Sequence, residues 1–100
     1  MPRISVRFAE SAATDLEAIR DWYAEQEAAH VGDRFVAEII ERIEALRAHP
    51  DMGRIVPEFQ QRFLRELIHP PFRIVYRRDP GQVSIVRVWR SERLLRLADE

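Results

Sequence analysis

The sequence contains no cysteine and no lysine, and only three glycines. Without cysteine there are no disulfides and no thiolate metal sites, and redox chemistry gives no clue to compartment. Without lysine, all sixteen basic side chains are arginines, so their number carries little information and only their placement counts as a signal. Gly32, Gly53 and Gly81 stand alone as break or turn residues, which excludes a glycine-rich phosphate loop. The three histidines, His30, His49 and His69, have no metal-ligand spacing, and neither a metal nor a cofactor is expected. Apolar runs are only a few residues long, so no membrane span is expected. No apolar segment follows the first five residues as a secretory signal requires, and a cytoplasmic protein is the expectation.

What is present is ordinary globular material, 46% hydrophobic and 33% charged over 100 residues. That is enough for one core, and the expectation is a single domain over residues 1–100. The net charge of −1 hides an asymmetry. Residues 1–50 carry six arginines against ten acids, and residues 51–100 carry ten against seven. The second half is the side expected to meet something anionic.

Arg3 to Phe8 alternates with period two and predicts a strand with Ile4, Val6 and Phe8 inward. Ala12, Leu16, Ile19 and Tyr23 then form one helical stripe, with Trp22 on its margin, and predict a helix from about Ser11 to Glu27. Ser11 and Thr14 both fit as its cap, and Thr14 to Glu17 matches a capping box. Ala28 to Gly32 reads as a break. A second stripe through Phe35, Val36, Ile39, Ile40, Ile43 and Leu46 predicts a helix ending near Ala48 or His49, because Pro50 disfavours helical geometry in the residue before it. The pair is an αα-hairpin.

Asp51 to Gln61 reads as a connection. Three strands follow, Arg62–His69, Phe72–Arg78 and Val83–Arg90, the first two joined by a tight link at Pro70-Pro71. Asp79-Pro80-Gly81-Gln82 has the proline and glycine that a type II turn demands. Ser91 to Ala98, with Leu94, Leu95 and Leu97, suggests a short final helix. The predicted class is α+β: a strand, a helical hairpin and a three-stranded antiparallel meander. With helices on one face only, alternation leaves the other face to Arg65, Arg73, Val75 and Arg77, with Val88 and Arg90 assigned there too. In the last strand, Val83 and Ile85 fall on one side and Val86 and Val88 on the other.

These residues resemble the RelE/ParE superfamily of type II toxin–antitoxin toxins. The likeness rests on Asp15-Leu16, Ile19 and Tyr23; on Arg34-Phe35, Ile39 and Ile43; and on Pro50 and Gly53. Its more specific part is Val56-Pro57-Glu58, Arg65-Glu66-Leu67, Phe72-Arg73-Ile74-Val75-Tyr76 and Ile85-Val86-Arg87-Val88-Trp89. The resemblance implies a small toxin neutralised by the C-terminal segment of a cognate antitoxin, and hence a hetero-oligomer. It also implies one of two actions, and an inactive relative that survives as a binding module is the third reading. RelE-like members cleave mRNA on the ribosome, whereas ParE-like members are reported to poison DNA gyrase by binding it.

Cleavage by a 2′-hydroxyl on its own phosphate needs a base, an acid and a cation for the developing charge. Arg73 matches the strand arginine of the nucleases, and Arg90, Arg93 and His69 complete the candidates for that reading. Arginine is a poor base, and nothing after Gln82 is His or Tyr. The ParE-like reading therefore leads, although Arg90-Ser91 stands where ParE-like chains often have His-Gly. It assigns Arg73, Trp89, Arg90 and Arg93 to target binding, and Arg65, Val75, Arg77 and Val88 to the antitoxin. The plainer readings are that Trp89 and Tyr76 pack the sheet, that Arg77 and Arg78 are solvated, and that Arg65 and Glu66 belong to cross-strand ion pairing.

Overall fold

The computed structural model describes residues 4–90. In chain order they form β1 (Ser5–Phe8), α1 (Glu10–Glu25), α2 (Ala29–Glu44), a single 3-10 turn (Ala45–Arg47), β2 (Arg54–Ile55), β3 (Leu64–His69), β4 (Phe72–Asp79) and β5 (Gln82–Arg90). The strands make one five-stranded sheet in the order β1-β5-β4-β3-β2. β1 runs parallel to β5, and all other pairs are antiparallel. The class is α+β as expected. Arg93 and the final helix expected over Ser91 to Ala98 lie outside the described residues.

Both helices lay their apolar stripes on one face of the sheet. Ala12 and Leu16 of α1, and Val36, Ile39 and Ile43 of α2, meet Leu67, Phe72, Ile74, Tyr76, Val83 and Ile85 in one core. Ile19, Tyr23 and Phe35 pack at its margin, and the Phe35 ring meets Phe72 edge-on at 5.3 Å. Of the expected stripes, Ile40 remains partly exposed and Trp22 is half exposed.

The helix boundaries depart from expectation for local reasons. α1 begins at Glu10 with no side-chain cap. Ser11 instead donates its hydroxyl to Val86 O at 2.6 Å, so neither Ser11 nor Thr14 caps the helix. The break is Gln26 to Ala28, where Glu27 takes a left-handed φ of 58°. Gly32 lies inside α2 rather than in the break. A Cβ there would sit 2.8 Å from the Tyr23 Cβ, so the glycine permits the close approach of α1 and α2.

The two hairpin turns fall where the sequence placed them. Pro70-Pro71 links β3 to β4 through a cis peptide, and Pro80-Gly81 links β4 to β5 with Gly81 at φ 73°, as a type II turn requires. The expected connection over Asp51–Gln61 contains the short strand β2, paired with Glu66 and Arg65 of β3.

β5 carries the main correction. Val75 pairs with Arg87 and Tyr76 with Ile85, so Val86 is an extra residue in a β-bulge. The bulge reverses the alternation, and Val83, Ile85 and Val88 all face the helices. Val88 is a core residue and does not belong to the opposite face.

The outer edge of β5 beyond β1 is closed by the start of α1. Ala9 donates its N–H to Ile85 O at 2.9 Å, Ser11 reaches Val86 O, and the Val88 N–H donates to Asp15 Oδ2 at 2.8 Å. Asp15 also takes two hydrogen bonds from Arg87, at 2.7 and 2.9 Å. Side chains of a helix thus satisfy backbone groups that a sixth strand would otherwise take.

Candidate functional site

On the face away from the helices, period-two alternation in β4 presents Arg73, Val75 and Arg77. Their cross-strand partners on the same face are Ile68, Glu66 and Leu64 of β3, and Trp89 and Arg87 of β5. Arg73 faces this side as expected, but it is not an open cation. Its side chain is 7% exposed. Its Nε donates to Glu66 Oε1 at 2.6 Å, and its Nη2 also contacts that oxygen. Nη1 and Nη2 donate to the two oxygens of Glu58 at 2.8 and 3.0 Å. Glu66, whose side chain is wholly inaccessible, takes a further bond from Arg54 Nε at 2.6 Å.

The result is an alternating row, Arg54–Glu66–Arg73–Glu58, with two positive and two negative groups. A buried carboxylate survives here because two guanidiniums satisfy it. Arg73 holds Glu58 well below the usual carboxylate range, at about 2, and Glu58 in turn raises the Arg73 pKa. Glu58 comes from the loop between β2 and β3, so this pairing ties that loop across the sheet. Sequence alternation gave the face of Arg73; it gave no sign of Glu58, fifteen positions earlier on a connection.

The other predicted site residues divide between the two faces. His69 pairs with Phe72, which faces the helices, and its Nε2 lies 2.9 Å from Glu38 of α2. The sheet therefore separates His69 from Arg73. Arg90 also lies on the helix side. Its guanidinium stands 5.5 Å from the Trp22 ring centre and 5.7 Å from that of Phe72, and it donates to the Tyr23 hydroxyl at 3.4 Å. Trp89 remains beside Arg73 across the β4–β5 pair, with the Arg87 guanidinium over its ring at 4.7 Å.

Of the four residues assigned to the antitoxin, Arg77 alone is exposed. It packs over the Phe63 ring and bonds Asp79. Val75 is buried, and Val88 is core because of the bulge. Arg65 pairs with Tyr76 and so faces the helix side, where its Nη1 donates to Gly53 O at 2.9 Å. Its placement on the opposite face is corrected by the register of β3: Leu67 pairs with Ile74 in the core, and Arg65, two residues before it, shares its side.

A groove of about 490 Å³ opens where α1 crosses the end of β5. Ile19, Trp22, Tyr23, Val88 and Trp89 make its apolar wall, and Arg87 and Arg90 also line it. The stripe residues of α1 pointed to a helix face, but the bulge that turns Val88 toward it left no mark in the sequence.

The model of the ParE toxin of the type II toxin–antitoxin system parDE matches residues 6–95. The chain belongs to the ParE toxin family. It is thus the toxin of a type II toxin–antitoxin system. This ParE-family chain is similar to a solved structure of the chromosomal ParDE toxin–antitoxin system from P. aeruginosa. The identity is 26%, with 88% of this chain and 96% of that one covered at a TM-score of 0.74. It shares its fold with a chain of the RelBE2 toxin–antitoxin complex from Mycobacterium tuberculosis, at 22% identity, covering 88% of this chain and 98% of that one with a TM-score of 0.66. No match is found among the curated proteins.

Proposed function

We propose that this ParE-family toxin acts by binding and inhibiting DNA gyrase in the cytoplasm, and that it does so without hydrolytic chemistry. The observation that carries the reading is the closed state of Arg73. Arg73, the strand arginine assigned to both candidate activities, has its guanidinium filled by Glu58 and Glu66. A nuclease needs that cation at the scissile phosphate, with a proton acceptor within hydrogen-bond reach. His69, the histidine candidate, lies across the sheet with Glu38, and Arg90 packs among rings on the helix side.

The antitoxin is expected in the groove between α1 and β5. An amphipathic segment would lay apolar residues against Trp22, Ile19 and Val88 and direct an acid toward Arg87 or Arg90. Both solved relatives come from toxin–antitoxin systems, which supports such a partner.

A supercoiling assay with purified toxin tests the target. Inhibition of gyrase, or accumulation of cleaved complexes, is expected. Unaltered gyrase at high toxin excess, together with mRNA breaks in the ribosomal A site after induction, would replace this reading with the nuclease one.

A further inference from the structure

The Arg73 fork is occupied by the chain's own carboxylate, and the occupant differs from the rest of the network. Glu66 is wholly inaccessible, whereas the Glu58 side chain is 44% exposed. Glu58 belongs to a loop that is bonded mainly within itself. Val56 N donates to Leu64 O at its base, Phe59 and Gln60 N–H groups donate to Val56 O, and Leu64 N donates to Gln61 O. Gln60 holds a left-handed φ of 51° within this turn. Buried Val56 anchors the base. Among the side chains of residues 57–62, the hydrogen bonds reaching the sheet run through Glu58 to Arg73. Residues 57–62 can therefore lift as one piece if something replaces Glu58, hinged at Val56 and at Phe63, whose carbonyl is held by the Arg78 N–H at 2.7 Å.

We propose that Arg73 is a carboxylate-binding subsite held closed by Glu58, and that an acidic side chain of a protein partner opens it by exchange. Glu58 itself demonstrates the fit, with two parallel hydrogen bonds from one guanidinium edge. Removing Glu58 from the row leaves two arginines against Glu66, a net positive site backed by a buried acid. The surroundings suit one carboxylate and not a nucleic-acid backbone. A phosphate chain needs several cations in register. The neighbouring arginines of this face are already engaged: Arg54 by Glu66, Arg77 by Asp79 and Arg87 by Asp15. The inference rests on the reading that this protein acts by binding a protein target, and it adds a switch to that binding.

The test uses acetate as the probe on the full chain with Glu58→Ala, which empties the fork without touching Arg73. The Arg73 Nε–H and the amides of Glu66 and Val75 are followed by NMR. A saturable response to acetate is expected in the variant, with affinity at least about tenfold above wild type. A folded variant with no saturable response overturns the proposal. So does a gain of about tenfold or more in binding a short single-stranded RNA, which would make the fork a nucleic-acid site. Should Glu58→Ala not fold, Glu58→Gln keeps the loop's shape. Amide exchange at residues 59–62 is then expected to rise about tenfold, and a change within about twofold refutes the latch. A toxin inactive on gyrase whose Glu58→Ala form binds acetate refutes the target and leaves the subsite standing. A toxin active on gyrase whose variant ignores acetate does the reverse.

Discussion

Arg73→Met removes the guanidinium while keeping an unbranched apolar stem, and its effect can be worked from the ion-pair row. Two carboxylates lose their partner. Glu58 is 44% exposed and turns to water at little cost, worth about 1 kcal/mol at most. Glu66 has no such escape, because its side chain is 0% exposed and among the described residues it retains only Arg54, which is itself 62% exposed. Leaving a buried carboxylate half-paired costs about 3–5 kcal/mol. Against a total stability of about 5–15 kcal/mol for a domain of this kind, that is a large share. The assay is urea unfolding followed by circular dichroism, with midpoints compared at a common slope. Arg73→Met/Glu66→Gln should regain about 1–3 kcal/mol over the single variant, since the stranded charge is gone. An Arg73→Met protein within about 1 kcal/mol of wild type would refute the reasoning, for Glu66 would then need no partner. The result matters for function. An Arg73→Ala toxin that loses activity has also lost this stability, so the loss of activity by itself is no sign of catalysis.

Three further outcomes are expected. Glu58 has a folded pKa of about 2 against an ordinary 4.5, so its contribution is complete above 4.5 and disappears as pH falls toward 2; discounted for its exposure this is about 1 kcal/mol, and Glu58→Gln should flatten the stability–pH curve in that window. Tyr76→Phe removes a hydroxyl that accepts from Gly53 N at 3.0 Å and donates to Pro50 O at 2.8 Å; thermal unfolding should register a loss of about 1–3 kcal/mol, since the Gly53 N–H is left buried and unbonded. Asp15→Ala strands both Arg87 and the Val88 N–H, and hydrogen exchange at Val88 should accelerate by about tenfold or more, with no comparable change at Ile74 on β4.

Much of this architecture was legible because period and burial agree. The α1 stripe of Ala12, Leu16, Ile19 and Tyr23 reads as a helix face, and those residues do face the core. Pro80-Gly81 states its turn outright. The misplaced strand residues have one physical origin, which is that alternation is counted locally while register is set by partners. Val86 is as apolar as its neighbours, so nothing in the row Val83 to Val88 says that one residue is extra; only pairing with Val75 and Tyr76 reveals it. Arg65 was misplaced because β3 carries apolar residues on both sides, Leu64 and Ile68 against Leu67. Gly32 looked like a helix breaker because its reason for being small lies on another helix. The candidate site was less legible still. Arginine at position 73 is visible, but its meaning depends on a glutamate from a connecting loop and another on the neighbouring strand β3.

The closure of β5 by α1 limits how this end of the molecule can be read. Extended peptides commonly dock by pairing their backbone with an exposed strand, a mode whose main-chain bonds give affinity independently of the side chains. At Val86 and Val88 those positions are taken by the Ser11 hydroxyl and the Asp15 carboxylate. At these two groups a partner finds no free backbone to copy, and recognition there falls to side chains. If the antitoxin occupies the proposed groove, discrimination among related partners falls to contacts at Trp22, Arg87 and Arg90, where single substitutions on either molecule would retune the pairing.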